Sequence, residues 1–191
     1  MKISAGSLKR KNLQFISRDT IRPTSSVVKK ALFNIIADRL PDSQFLDLFA
    51  GSGSIGFEAF SRGAAHVSFI EKDDLLCRCL KENIMKFANC ESQFSVFHGH
   101  FMSGLGKLVR LKKKFDFIFI DPPYQTDSAL KAFGACINMQ LIKDSSCVIL
   151  ECSKHSAVPD AQFLEKNCVE LTDERKYGMT RLYFYRRVKC N

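Results

Sequence analysis

Apolar residues along the chain alternate between short β-prone runs and longer stretches with helical spacing. After Pro41, strands are predicted at residues 45–49, 66–70, 94–97, 115–120 and 147–150. Helices are predicted before the first of these strands and between them, at residues 27–39, 55–61, 73–87, 102–111 and 127–138. Strands that alternate with helices in this way predict an α/β fold, Rossmann-like, with a mostly parallel sheet covered by helices on both faces.

The two ends of the chain depart from this alternation. Residues 168–171 and 182–185 predict two further strands without a long helix between them, which indicates an antiparallel C-terminal hairpin. Residues 2–16 predict a small N-terminal β-hairpin with two short strands around the basic turn Lys9-Arg10-Lys11. We therefore expect a single domain over residues 1–191, with a basic extension at 1–22 and a seven-stranded core at 23–191.

Positive charge is concentrated at the two ends. The 191 residues carry a net charge of +9, and residues 1–30 hold eight basic residues against Asp19 alone. Residues 175–191 hold six basic residues and no acidic ones, whereas the stretch between these ends has more acidic than basic residues. Such a distribution is typical of a polyanion-binding protein, although solvated, charged ends would look the same.

Targeting and metal signals are weak. The first residues lack an apolar run, and no stretch approaches a membrane span, so we expect a cytoplasmic protein without a membrane partner. The eight cysteines include no C-x-x-C pair, and we expect them to be reduced and structural. His98 and His100 could suggest a metal, but no further ligands cluster nearby in the sequence, and we expect none.

A glycine-rich loop follows the first predicted strand. Gly51-Ser52-Gly53-Ser54-Ile55-Gly56 fits G-x-G-x-x-G, and Glu71, twenty residues after Gly51, could bind ribose hydroxyls. This pattern alone allows an NAD enzyme. Asp47, however, would oppose a pyrophosphate and suit the ammonium of a methionine group.

The fourth predicted strand ends in Asp121-Pro122-Pro123-Tyr124. The Asp121 carboxylate and the Pro122 carbonyl could accept the two hydrogens of a nucleobase amino group and orient its lone pair toward a methyl donor. Tyr124 offers a flat face for stacking on the base. A strand that merely ends in a proline turn is the simpler alternative, but the position after a glycine loop and an acidic residue favours methyl transfer.

These residues resemble the RsmD family, bacterial enzymes that methylate guanine N2 in small-subunit (16S) ribosomal RNA. The resemblance covers nearly the whole chain, including Ile3-Ser4-Ala5-Gly6, Arg22-Pro23-Thr24, the glycine loop and Asp121-Pro122-Pro123-Tyr124. It implies the fold of class I methyltransferases that use S-adenosylmethionine. The chain departs from the family at His100, which occupies the place of an Asp that binds the adenine amino group.

The resemblance also implies a set of site residues. The cofactor would contact Asp47, Gly51, Ser52, Gly53, Glu71, His100 and Phe101, and the base would contact Asp121, Pro122 and Tyr124. The candidates for RNA phosphate contacts are Lys9, Arg10, Lys11, Arg22, Arg181, Arg186 and Arg187. We expect a monomer that acts on ribosomal RNA within the small subunit. The alternatives are an adenine-N6 DNA methyltransferase and a non-catalytic RNA-binding assembly factor.

Overall fold

Seven strands form one sheet in the computed structural model, which describes residues 2–16, 24–87, 91–123 and 128–189. The strands are β1 (Gln44–Leu48), β2 (His66–Glu71), β3 (Phe94–His98), β4 (Phe115–Ile120), β5 (Ile142–Ser153), β6 (Val169–Tyr177) and β7 (Thr180–Arg187). Their spatial order is β3-β2-β1-β4-β5-β7-β6. The first five strands pair in parallel, and β7 runs antiparallel to both β5 and β6. The mostly parallel sheet with an antiparallel C-terminal hairpin is confirmed.

In the described ranges, six α-helices flank the sheet. They are α1 (Ser26–Ile35), α2 (Ser54–Ser61), α3 (Asp74–Met85), α4 (Phe101–Arg110), α5 (Ser128–Asn138) and α6 (Ala161–Lys166), with short 3-10 helices at Ala37–Arg39 and Glu91–Gln93. The first five were predicted within a few residues. The prediction missed α6 because six residues are too few to show helical periodicity, although Asp160 caps it by accepting from the Phe163 amide at 2.7 Å.

Apolar side chains pack on both faces of the sheet. One cluster joins α1, α2 and α3 to the sheet, and the other joins α4 and α5 to it. In the first cluster the ring of Phe57 packs against Phe69 at 5.1 Å and Phe94 at 5.4 Å between centroids. The sheet is therefore the middle layer of three, as the strand–helix alternation predicts.

Side-chain contacts to α2 and α3 hold the N-terminal segment. The N-terminal hairpin is short: residues 2–16 form one antiparallel bridge, between Lys2 and Asn12, and backbone hydrogen bonds join Ile3 to Arg10 and Lys11. Glu58 of α2 accepts from the backbone amides of Ser4 and Ala5, and Asn83 of α3 exchanges hydrogen bonds with the backbone of Gln14. These contacts satisfy backbone groups that a strand ladder would otherwise bind.

Glu58 is the buried centre of that attachment. Its carboxylate forms ion pairs with Lys29 of α1 at 3.5 Å and with Arg62 at 2.8 Å. Burial alone would raise the pKa of Glu58, but the hydrogen bonds from Ser4 and Arg62 outweigh it, and the pKa is lowered. The ionised carboxylate thereby links the N-terminal segment to two helices.

Two other expectations concern membranes and cysteines. Within the described ranges, no helix is long and apolar enough to cross a membrane.

Cys77, Cys79, Cys136, Cys147 and Cys152 are free and buried. The expectation of reduced cysteines is wrong for Cys168, which is disulfide-bonded. Cysteine spacing could not reveal this bond, because pairing depends on proximity in the fold.

We expect replacement of Gly6 by alanine to destabilise the protein by about 2 kcal/mol. Gly6 has φ +81°, and a Cβ there would overlap the backbone carbonyl of Ser61. The matched control is Gly106→Ala in α4, where a Cβ meets nothing within 4 Å and alanine should stabilise the helix by about 0.5–1 kcal/mol. Urea denaturation of both variants measures the difference, and equal stabilities would contradict the proposed packing of Gly6.

Candidate active site

Acidic side chains stand near the carboxyl ends of four neighbouring parallel strands. These are Asp47 on β1, Glu71 on β2, Asp121 directly after β4 and Glu151 on β5. The strand order reverses at β1, since β2 lies on one side of it and β4 on the other. In open α/β sheets, this reversal point at the carboxyl edge is where ligands bind.

The loop after β1 has a backbone that most residues would disfavour. Phe49 has φ +74°, and Gly51 and Gly53 have φ +56° and +83°. At Gly53 a Cβ would approach side-chain atoms of Phe57 and Leu80 to 2.6 Å, whereas at Gly51 it would meet nothing within 4 Å. Gly53 is thus required by packing, and the space beside Gly51 is open for a ligand. Ser52, between them, is 5% exposed.

Asp47 is buried beneath this loop. It is 2% exposed, and its Oδ2 accepts from the amide of Gly56 in α2 at 2.9 Å. Burial, opposed by the Gly56 hydrogen bond and reinforced by the charge of Glu71, raises the pKa of Asp47 to about 7. A cationic group nearby would favour its ionised form.

Glu71 ties β2 to the glycine loop. Its Oε2 accepts from the Gly51 amide at 2.7 Å, and its Oε1 accepts from the amides of Lys72 at 2.8 Å and Asp73 at 2.9 Å. A carboxylate has roughly four acceptor positions, so one on Oε2 is left beyond these three bonds. Glu71 can therefore accept a hydrogen bond from one ribose hydroxyl while it keeps the glycine loop bound. The sequence alone suggested that it could bind both ribose hydroxyls.

His100 caps α4. Its Nδ1 accepts from the Met102 amide at 3.4 Å, and its ring lies 4.4 Å from that of Phe101, between centroids. When Nδ1 of a neutral imidazole accepts, Nε2 carries the hydrogen. The exposed His100 therefore presents a donor, which suits a ring nitrogen of adenine better than its amino group. The buried Phe101 packs against Phe49 at 5.3 Å.

Asp121 and Pro122 directly follow β4, next to the point at which the strand order reverses, which we call the switch point. Ile120 pairs with Leu48, so Asp121 comes from the strand next to that of Asp47. Burial, followed by the charges of Glu151 and Asp47, raises the pKa of Asp121 well above its usual value, against a hydrogen bond from Thr24. Pro122 is buried and Pro123 is exposed. The predicted stacking residue Tyr124 lies outside the described residues.

Sequence reasoning missed Glu151 and the site role of Thr24. Glu151 is 2% exposed and accepts from the Thr24 hydroxyl at 3.1 Å. Ser25, the next residue, caps α1 by accepting from the Val28 amide, whereas Thr24 contacts the buried acid. The available signal was an acidic residue at the end of the apolar run 147–152, because burial of a carboxylate costs free energy unless a partner or a ligand compensates it.

The predicted phosphate contacts that the structure describes lie on different elements. Lys9, Arg10 and Lys11 are exposed, in a turn whose neighbours Ser7 and Leu8 bind Ser61 at the end of α2 far from the glycine loop. Arg181 lies near the active-site edge, opposite Cys152, and donates to the carbonyls of Gly178 and Thr180. Arg186 lies opposite Cys147, and five residues of strand separate it from Arg181 by roughly 17 Å.

Arg187 and Arg22 are the two remaining predicted phosphate contacts. Arg187 follows Arg186 on β7 and pairs with Val169 at the same end of the strand. Arg22 lies outside the described residues.

A cleft and the distribution of metal-binding side chains bear on other possible sites. A cleft of about 400 Å³ lies at the opposite edge of the sheet, lined by residues that include Asp42, Asp116 and Lys143. Lys143 and Asp116 already form an ion pair at 2.7 Å there. In the part of the chain that the structure describes, no group of three or more His, Cys, Asp or Glu side chains could hold a metal.

Several known proteins have sequences similar to that of this chain. A Haemophilus influenzae protein named Ribosomal RNA small subunit methyltransferase D is 32% identical over 154 residues, 81% of this chain and 79% of that protein. The Escherichia coli (strain K12) protein of the same name is 28% identical over 161 residues, 83% of this chain and 78% of that one.

Solved structures extend the comparison. A hypothetical protein of Thermus thermophilus matches with a TM-score of 0.80 at 28% identity, over 96% of this chain and 98% of the other. TrmN from Thermus thermophilus matches with a TM-score of 0.62 at 20% identity, over 85% of this chain and 48% of that one, which shows a shared fold alone.

A family profile matches almost the whole sequence. The family is described as Conserved hypothetical protein 95, and the match runs over residues 1–186. Together with a relative above 30% identity over four fifths of the chain, this match shows that the chain belongs to that family, the RsmD family of methyltransferases.

Proposed function

We propose that this protein transfers a methyl group from S-adenosylmethionine to the N2 amino group of a guanine in small-subunit ribosomal RNA. The adjacency of Asp47 and Asp121 at the switch point is the observation that carries the proposal. It puts an acid suited to a cofactor ammonium beside an acid suited to a base amino group. The names of the relatives in the RsmD family support ribosomal RNA as the substrate.

The cofactor is assigned to the edge formed by β1, β2 and the start of α4. Asp47 would attract the ammonium of the methionine group, and Glu71 would accept from one ribose hydroxyl. Gly51 and Gly53 would let the loop backbone approach the ligand, with Ser52 between them. Phe101 would border the adenine ring, and the exposed Nε2–H of His100 would donate to an adenine ring nitrogen.

The chemical step is a direct displacement. The Asp121 carboxylate and the Pro122 carbonyl would accept the two amino hydrogens and aim the nitrogen lone pair at the methyl carbon. The N–C bond forms as the C–S bond breaks, and its electron pair stays on sulfur. No cysteine nucleophile is required, in keeping with burial that raises the pKa of Cys152 to about 11.

The RNA would present an unpaired or flipped-out guanine. We propose that Tyr124 stacks on this base and that basic residues bind the phosphates. Lys9, Arg10 and Lys11 would serve one region of RNA and Arg181 a region closer to the active site, and Arg22 would add a further phosphate contact. Arg186 and Arg187 would reach a third. Such a substrate places the protein in the cytoplasm with the ribosomal subunits.

The function is tested with labelled S-adenosylmethionine and small ribosomal subunits that lack their native methylations. We expect label in the small-subunit RNA, recovered as N2-methylguanosine after nucleoside analysis. Label in N6-methyladenosine would contradict the assignment of the base. Cofactor binding without transfer to subunits or to naked RNA would contradict the function.

Asp121→Asn should lower the rate of methyl transfer by about 10²-fold or more, because the amide is a weaker acceptor for the amino hydrogens. Cofactor affinity, measured by calorimetry, should change by only a few-fold. Asp116→Asn is the matched control, since Asp116 begins the same strand at the opposite edge of the sheet. Full activity in Asp121→Asn, or equal losses in both variants, would sink the proposed role of Asp121.

A further inference from the structure

A dense group of cations lies at the end of α4. Residues 92–115 hold five basic residues and no acidic one, whereas the stretch between the two basic ends of the chain has more acidic than basic residues overall. We call these five residues the α4 basic cluster: Lys107, Arg110, Lys112, Lys113 and Lys114. Arg110, Lys112 and Lys114 are exposed, and the other two are half-buried. Such a local concentration of positive charge is typical of a surface that binds a polyanion.

The α4 basic cluster has no acidic partner among the residues that the structure describes, since no ion pair there joins any of its five members to an Asp or Glu side chain. Asp116, the next acidic residue along the chain, is paired with Lys143. Positive charges three residues apart on a helix repel each other, and Lys107 and Arg110 have that spacing. An anion from outside the protein would relieve this repulsion.

The end of the helix does not require these side chains. Lys and Arg near a helix C-terminus can bind the last free carbonyls and interact favourably with the helix dipole. Here the backbone amides of residues 111–113 bind the carbonyls of residues 107–109, at 2.9 to 3.0 Å. The dipole effect is confined to the last turn of a helix, whereas three of the five cations follow Arg110, the last residue of α4. Neither capping nor the dipole explains the whole cluster.

Lys112 stands at a position that favours glycine. It follows the C-cap of α4 and has φ +53°, the left-handed conformation in which helices most often end on glycine. Arg10, in the N-terminal basic turn, has φ +71°. Both basic turns therefore keep a cation where glycine would suit the backbone better, which indicates that the charge itself has a function.

The α4 basic cluster and the N-terminal basic turn belong to different faces of the sheet. α4 packs with α5 in one apolar cluster, whereas the N-terminal turn is attached to Ser61 of α2, which belongs to the other face. α4 begins beside His100, at the edge assigned to the cofactor, and its ten residues extend about 15 Å from there to Arg110. A single RNA molecule can span that distance while one of its bases occupies the active site.

We propose that the α4 basic cluster binds phosphates of the substrate RNA away from the nucleotide that is methylated. The identity of the RNA rests on the proposed function. Phosphates supply the negative charge that the cluster lacks, and binding releases the counterions that the RNA holds. Contacts to phosphates carry no sequence information, so the cluster contributes affinity and orientation and leaves the choice of base to the active site.

The test measures the affinity of the protein for unmodified small-subunit ribosomal RNA at several salt concentrations. The double variant Arg110→Gln, Lys114→Gln removes two exposed cations of the cluster. We expect its affinity to fall by about tenfold at low salt, and the slope of log K against log [salt] to become shallower by about 1.5, since each phosphate contact contributes about 0.7–0.9.

The matched control is the double variant Lys81→Gln, Lys166→Gln. It loses the same charge at two exposed lysines, each of which adjoins a glutamate in the sequence. We expect its RNA affinity to stay within about twofold of the wild type, because charges remote from the RNA are screened by salt. The melting temperatures of both double variants show that each is folded.

Lys112→Gly separates the charge of this residue from its backbone conformation. Glycine suits φ +53°, so we expect the melting temperature to stay equal or to rise. RNA affinity should nevertheless fall by about threefold at low salt, because one cation is lost. A raised melting temperature with unchanged RNA affinity would contradict a role of Lys112 in binding RNA.

Two results would overturn the inference. One is an equal loss of RNA affinity in the two double variants, which would show that only the net charge of the protein matters. The other is wild-type RNA affinity in Arg110→Gln, Lys114→Gln, and a loss of binding to phosphatidylserine vesicles in that variant would then assign the cluster to a membrane surface. RNA binding is measured without methyl transfer, so a protein that transfers no methyl group contradicts the proposed function and leaves this test decisive.

Discussion

The crowding of carboxylates at one edge of the sheet is the constraint on which the site depends. Asp47, Glu71 and Glu151 are buried on β1, β2 and β5, and the half-buried Asp121 directly follows β4, which lies between β1 and β5. Burial opposes the ionisation of such groups. Among the described residues, no Lys or Arg forms an ion pair with Asp47, Glu71 or Asp121. Backbone amides and one hydroxyl stabilise them instead, so the edge is complementary to a ligand that carries positive charge.

This constraint also explains the backbone around the site. The Glu71 carboxylate accepts from the Gly51 amide, and the Asp47 carboxylate accepts from the Gly56 amide, so both acids fix the glycine loop against the sheet. Phe49 is held at φ +74° between them, in a conformation that costs a non-glycine residue about 1 kcal/mol or more. The loop is thereby arranged before a ligand binds, which lowers the entropy lost on binding.

Much of the fold could be predicted because its signals are local. Apolar runs and helical periodicity located β1 to β4 and α1 to α5, and the position of Asp121 after a strand indicated its edge of the sheet. Glu151 could not be assigned a partner, since Thr24 lies 127 residues away along the chain. The basic residues near the two ends could not be assigned to parts of the surface from the sequence, because only the folded chain brings Leu8 to Ser61 of α2 and Arg186 to Cys147 of β5.

The central claim is that this edge of the sheet binds a positively charged ligand. Its most direct test is to measure the number of protons released when S-adenosylmethionine binds. Calorimetry at pH 6.5 in two buffers of different ionisation enthalpy measures it. Since the pKa of Asp47 is raised to about 7 in the ligand-free site, a bound ammonium should expel a large fraction of a proton, and Asp47→Asn should reduce that release. Binding without proton release in the wild type would contradict the account.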